Sequence, residues 1–354
     1  MKILFIGSVP PPTGGDAIWA LNYLSYLNNS YNSVSIVNTS LIGRRAFDLV
    51  DKYSFFDEII RCTKIWILII VRIVKFRPDI VHINSNCSPL GIIRDFISLS
   101  LAKFSGAPIF LHFHSNVVNS LGVSSISKFF FRYSLLMPAK VIVLNIDSFN
   151  FCKSNFNIVP VIIPNFISED QIFIHKIIRN DISKILFVGH LIRSKGIFEI
   201  FEVAKKNTNI NFIMAGAITS DLLNVKIPSN VTLLGDINKK EIFELLKSVD
   251  IFLFPTYTEG FSMALLEAMG AGLPIITTPV GANHESLEGK GGFLVPIYSV
   301  DEICKAINIM RSSKLRREMS DWNICKVKNS YTSSIVMQKL INLYNLELTS
   351  KSFL

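Results

Sequence analysis

Short apolar runs bounded by glycine, proline or asparagine recur along this chain, and longer segments with helical spacing lie between them. The runs at 2–7 (KILFIG), 34–37, 79–83, 108–113, 141–144 and 158–163 read as buried strands. A second series follows at 185–189, 211–215, 231–234, 250–254 and 275–278, then GGFLVP. Residues 16–27, 62–77 and 239–248 have helical periodicity, with Asn238 as a capping residue for the last, and the chain from about 300 onward is helical by pattern. Strands alternating with helices predict an α/β fold with mainly parallel sheets and right-handed crossovers. At 354 residues, two domains are expected at roughly 100–200 residues each. The polar stretch SEDQIFIHKIIRNDIS, residues 168–183, divides the two series and reads as the linker.

Candidate chemistry concentrates in residues 255–279, PTYTEGFSMALLEAMGAGLPIITTP. Glu259 lies in a loop before a helix and Glu267 about two turns inside it. A loop entering a helix N-terminus offers unpaired amides and the positive end of the helix dipole, which suits a phosphate. Gly260 and the small Ser262 let a ligand approach the backbone. Carboxylates flanking such an anion site make sense as acceptors for hydroxyls, the layout of a diphosphate between a sugar and a ribose. An amphipathic helix with a capping acid is the plain alternative.

The stretch EGFSMALLE resembles the E-x7-E motif of the retaining glycosyltransferases of family four, and the likeness continues through EAMGAGLPIITTPVGANHE. The resemblance implies a GT-B architecture, two Rossmann-like doubly wound domains facing each other across a donor-binding cleft. It implies that Glu259 contacts the donor sugar, that Phe261, Ser262, Met263 and Ala264 contact sugar and phosphate by backbone, and that Glu267 holds the ribose. Further matches carry further roles. Gly14 and Gly15 resemble paired glycines beside the donor diphosphate. His114, at the end of PIFLHFH, resembles the histidine that hydrogen-bonds the donor sugar, while His112 reads as a core histidine. GHLIRSKG resembles G-R-x-x-x-x-K-G, with Lys195 as the phosphate-binding lysine. His190 stands where that motif has arginine, and Arg193 is the candidate to supply the missing charge. The turn at 235–237 resembles the one whose backbone reads the nucleotide base in that family, which would make Ile237 a packing or backbone contact. VPVIIPNFI resembles a P-N-G turn with Phe166 in place of glycine.

The domains implied are 1–167 for the acceptor, 168–183 as linker, 184–335 for the nucleotide-sugar, and 336–354 as a terminal helix packing back on the first. The expected activity is retaining, metal-independent transfer of a sugar from a nucleotide-diphosphate donor, UDP- or GDP-linked. The acceptor would be a saccharide or lipid-linked saccharide in O-antigen, capsule or exopolysaccharide synthesis. No Asp-x-Asp occurs to hold a divalent ion, and no cofactor is expected beyond the donor as co-substrate. A catalytically silent donor-binding subunit and a nucleotide-sugar epimerase are the alternatives; the first would bind donor without turnover, and the second would convert donor without acceptor.

Composition narrows the setting. Five scattered cysteines without a C-x-x-C pair read as reduced and cytosolic. The first residues lack the apolar length of a signal peptide, and the run at 65–71 is far short of the ~20 residues needed to span a bilayer. The net charge of +9 is uneven: residues 1–168 hold 15 Lys and Arg against 8 Asp and Glu. No helix-turn-helix or aromatic-interleaved basic stretch points to nucleic acid. The positive N-terminal half is expected to touch an anionic membrane peripherally, at the cytoplasmic face. Arg44, Arg45, Lys128 and Arg132 would contribute. The segment 62–77, with Arg61, Lys64, Arg72, Lys75 and Arg77, could lie on such a surface, but burial against the sheet with basic edges is the preferred reading of the helix itself.

Overall fold

In a computed structural model of the chain, residues 1–11, 14–28, 30, 32–40, 55–121 and 125–352 are described. They fall into two compact units, Met1–Asn165 with Ser333–Leu354, and Phe166–Thr332.

Unit one begins with strand β1 (Lys2–Gly7), helix α1 (Gly15–Asn28), β2 (Ser33–Asn38), α2 (Phe55–Phe76) and β3 (Ile80–Ser85). It continues with α3 (Pro89–Ala102), β4 (Ile109–Phe113), α4 (Val117–Ser120), α5 (Ser125–Leu136), β5 (Lys140–Val143), α6 (Ile146–Phe156) and β6 (Val161–Ile162). The strands form one sheet in the order β2-β1-β3-β4-β5-β6, every described pairing parallel. Alternation fails on these strands because both faces are covered: every residue of β3 and β4 is buried. On one face, α2, α3 and α5 pack Ile65, Ile69, Ile92, Leu99 and Phe131 onto Leu4, Val81 and Leu111.

Unit two runs β7 (Lys184–Val188), α7 (Ile197–Lys206), β8 (Asn211–Ala215), β9 (Val231–Gly235), α8 (Lys239–Ser248) and β10 (Ile251–Phe254). Then come α9 (Met263–Gly270), β11 (Ile275–Thr277), α10 (Asn283–Leu287), β12 (Gly292–Leu294), α11 (Val300–Ile309) and α12 (Ser313–Ser330). Its parallel sheet has the order β12-β11-β10-β7-β8-β9, the Rossmann succession, with β7 and β10 at the reversal. Asn238 caps α8 by accepting from Glu241 N at 3.0 Å, and Glu241 returns a bond to Asn238 N at 2.8 Å.

Residues 168–183, read as the linker, fall within unit two. Gln171 and Lys176 are buried, and the Lys176 ammonium donates to the carbonyls of Leu246 and Lys247 at 2.5 and 2.7 Å, closing the end of α8. The last helix, α13 (Ser333–Ser352), starts before residue 336 and belongs to unit one. There the Tyr344 hydroxyl reaches His82 Nδ1 at 2.6 Å and the Tyr23 hydroxyl at 3.0 Å.

Candidate active site

In a doubly wound sheet the crevice at the carboxyl ends of the two strands where the order reverses is the natural binding place. In unit two these strands are β7 and β10, paired at Ile185–Ile251 and Leu186–Phe252. The loops leaving them, 189–196 and 255–262, are tied together. Tyr257 N donates to Ser194 O at 2.9 Å. The Tyr257 hydroxyl lies 2.8 Å from both Glu199 carboxylate oxygens. The Lys195 ammonium donates to Glu259 Oε1, and Thr256 Oγ1 donates to the same oxygen at 3.3 Å. Behind Glu259, Gly281 has φ +53°, and a Cβ there would stand 2.1 Å from the Glu259 carbonyl oxygen. Ala282 N donates to Gly260 O at 3.0 Å, so the GANHE segment backs the loop.

Helix α9 starts one turn on. Ser262 is buried and its hydroxyl accepts from Leu265 N at 3.2 Å. The amides of Met263 and Ala264 belong to the set that a helix start leaves without intrahelical partners. Phe261 is buried against Tyr331, ring centres 5.3 Å apart. Glu267 faces a cavity of about 310 Å³ whose lining includes Asp170, Gln171, Lys239, Ile242 and Phe243. Gln171 Nε2 donates to Glu267 Oε1 at 3.2 Å. Burial pushes the Glu267 carboxyl above the usual carboxylate range, against the pull of Lys239 and Gln171. The arrangement offers a paired cation and carboxylate, a helix start just after them, and a second carboxylate within that helix that lines a cavity.

His190 is exposed at the exit of β7. Arg193 is exposed, its guanidinium 4.6 Å from the Phe198 ring centre, and its charge is felt at Tyr257. Ile237 is half-buried after β9.

Unit one has its own group of residues, around the start of α1 and the exit of β4. Gly14 and Gly15 open α1, and the Gly14 carbonyl accepts from Ile18 N at 2.9 Å. His112 and His114 share a face of β4 and its exit, ring centres 4.1 Å apart, both packed on Trp19. Burial, then the neighbouring His82, push the His114 imidazole down to about 3, with Asn165 pulling the other way. His114 is therefore a neutral hydrogen-bonding group across the working pH range. Among the described residues no group of three or more His, Cys, Asp or Glu is placed to hold a metal ion.

Sequence reasoning passed over Tyr257 and Glu199, which hold the two loops, Gln171 and Lys239, which reach Glu267, and His82, which joins the histidine group. Tyr257 sat two residues from Glu259 and was within reach of inspection. The others depend on contacts across long sequence separations.

Residues 168–323 match the family model described as glycosyl transferases, group 1. The chain is 28% identical over 184 residues to the capsular polysaccharide biosynthesis glycosyltransferase CapM of Staphylococcus aureus. That match spans 48% of each protein, about half the length of the relative. It is 25% identical over 302 residues, 76% of each, to the UDP-Gal:alpha-D-GlcNAc-diphosphoundecaprenol alpha-1,3-galactosyltransferase of Escherichia coli. Among solved structures, sucrose-phosphate synthase from Thermosynechococcus elongatus superposes with a TM-score of 0.82 over 99% of this chain and 100% of that one, at 15% identity. That likeness is one of fold.

Proposed function

We propose, for a chain that belongs to the group 1 glycosyltransferases and has the GT-B fold, that it moves a sugar from a nucleotide-diphosphate donor with retention and without a metal ion. The acceptor in this reading is a lipid-linked saccharide of a cell-surface polysaccharide, and the donor nucleotide is UDP or GDP. The observation that carries the proposal is the crevice at β7 and β10, where Lys195 meets Glu259 just before the start of α9, the helix that carries Glu267.

Lys195 is paired with Glu259. A donor diphosphate competes for the ammonium and leaves Glu259 free to accept from sugar hydroxyls. Lys195 and the first amides of α9 then stabilise charge building on the leaving diphosphate. The incoming hydroxyl attacks from the face the diphosphate leaves, and a leaving-group oxygen takes its proton. Glu259 orients the sugar and does not attack. His114 acts as a neutral hydrogen-bonding group.

The test is thermal stabilisation by a panel of UDP-, GDP- and ADP-sugars, with and without chelator. A donor at ~100 times its dissociation constant adds about 2.7 kcal/mol. One hit surviving chelator supports the reading, and abolition by chelator removes the metal-free part. No hit at all removes the donor assignment.

Glu267 gives a second expected result. Its pKa is raised, so the ionised form is the one the fold disfavours. That cost is present above the ordinary carboxylate range and vanishes as pH falls and the group protonates. Glu267→Gln is expected to leave the unfolding midpoint at pH 7 unchanged or higher. Donor affinity should fall roughly 10–100-fold, the loss of a hydrogen bond to a charged acceptor. Calorimetry on both proteins reads the two effects separately.

A further inference from the structure

Helix α2 is apolar on two opposite faces. Its inner face buries Cys62, Ile65 and Ile69 on the sheet. At 100° per residue, Ile60, Ile67, Ile70, Val71 and Val74 form a stripe on the other side, all of them exposed, Val74 by 66%. Lys64 and Lys75 border that stripe. A surface helix is ordinarily polar on its outer face, so this stripe calls for an occupant.

The surface does not stop at α2. Helix α3 lies beside it, with Trp66 Nε1 donating to Arg94 O at 3.4 Å, and α5 lies beside α3 through Phe96 and Phe130. The outer positions of α3 are Ile93, Phe96 and Ile97, half-buried and uncharged. Helix α5 exposes Ile126, by 63%, Phe129 and Leu136, with Lys128 and Arg132 among them. Phe104, just past α3, is 84% exposed beside Lys103.

We infer that the outer layer formed by α2, α3 and α5 is a docking surface for an anionic lipid bilayer, with the helices lying in its interface. The apolar stripe supplies insertion into the acyl boundary, and the bordering cations supply attraction to lipid headgroups. The charge pattern selects lipid over a second copy of this chain: two such faces brought together would oppose lysine and arginine to lysine and arginine. No helix among the described residues is long and apolar enough to cross a membrane. Arg61 drops out of the basic edge, because it is held by Glu58 and donates to Thr39 O. Arg44 and Arg45 lie outside the described residues.

The inference deepens the reading of a lipid-linked acceptor and is tested without donor or acceptor. The full chain is sedimented with phosphatidylcholine vesicles with and without phosphatidylglycerol. Wild type is expected to pellet with the anionic vesicles at low salt and to be released as salt shortens the Debye length. Ile67→Ser/Ile70→Ser/Val74→Ser should weaken partition at least about a hundredfold. Its unfolding midpoint should match wild type, since the three side chains already face water. Lys64→Gln/Lys75→Gln should erase part of the salt dependence. Wild type remaining in the supernatant overturns the inference, as does unchanged binding of the serine variant. Sedimentation velocity showing a dimer that the serine variant dissociates assigns the face to self-association and overturns it too.

Discussion

Lys195→Ala and Glu259→Ala are each expected to lower kcat/KM by roughly 100–1000-fold, about 2.7–4 kcal/mol of transition-state stabilisation. The two losses have different origins. In the proposed reaction the leaving diphosphate loses a cation when Lys195 is removed, at a site where His190 stands in the motif's arginine position. Without Glu259 the sugar loses an acceptor, and Lys195 loses the partner that holds it toward the crevice. Because the side chains touch, the double variant should cost less than the sum of the singles. Lys195→Arg should restore only part of the rate, since a planar fork does not reproduce a point charge on a flexible stem. Neither group is fully buried, so unfolding midpoints should stay near wild type. Steady-state kinetics with donor and acceptor varied in turn would decide the matter, and intact kcat/KM in both alanine variants would refute this site.

Gly196→Ala is expected to destabilise unit two strongly. Gly196 has φ +74°, a conformation that L side chains seldom take. An added Cβ would stand 2.2 Å from the Pro255 carbonyl oxygen, backbone against backbone, with no flexible side chain to yield. The strained φ and the forced separation each cost about 1–3 kcal/mol. At about 2–4 °C per kcal/mol for a unit of this size, a total near 3 kcal/mol lowers its unfolding midpoint by roughly 6–12 °C. The contact joins the loop of Lys195 to the chain leading to Glu259, so activity should fall more than stability alone accounts for. Gly235→Ala makes the control. Its φ is +68°, but nothing lies within 4 Å of the added carbon, so the backbone term acts alone. Equal midpoints for the two variants would discount the close approach of the loops.

The strand cores of both units were legible because both faces are covered, and uninterrupted runs such as IFLF of β10 leave few alternatives. Asn238 as a cap was legible because capping is local. The anchors of the tract 168–183 are not legible in it because they are distant: Lys176 is buried by carbonyls at 246 and 247, which nothing nearby announces. Helix α2 was read as buried with basic edges, and its inner face is, but periodicity cannot say that its outer apolar stripe lacks a cover.

By itself the chain determined the alternation of strand and helix, the two glutamates of the central stretch and the lysine before α7. These rest on local spacing and residue chemistry. Only the tertiary structure decided that β7 and β10 are neighbours, and hence that Lys195 meets Glu259 across 64 positions of sequence. It also decided that Gln171 reaches Glu267 and that α13 returns Tyr344 to His82. Those choices follow from strand order and crossover packing, long-range properties that no window of residues contains.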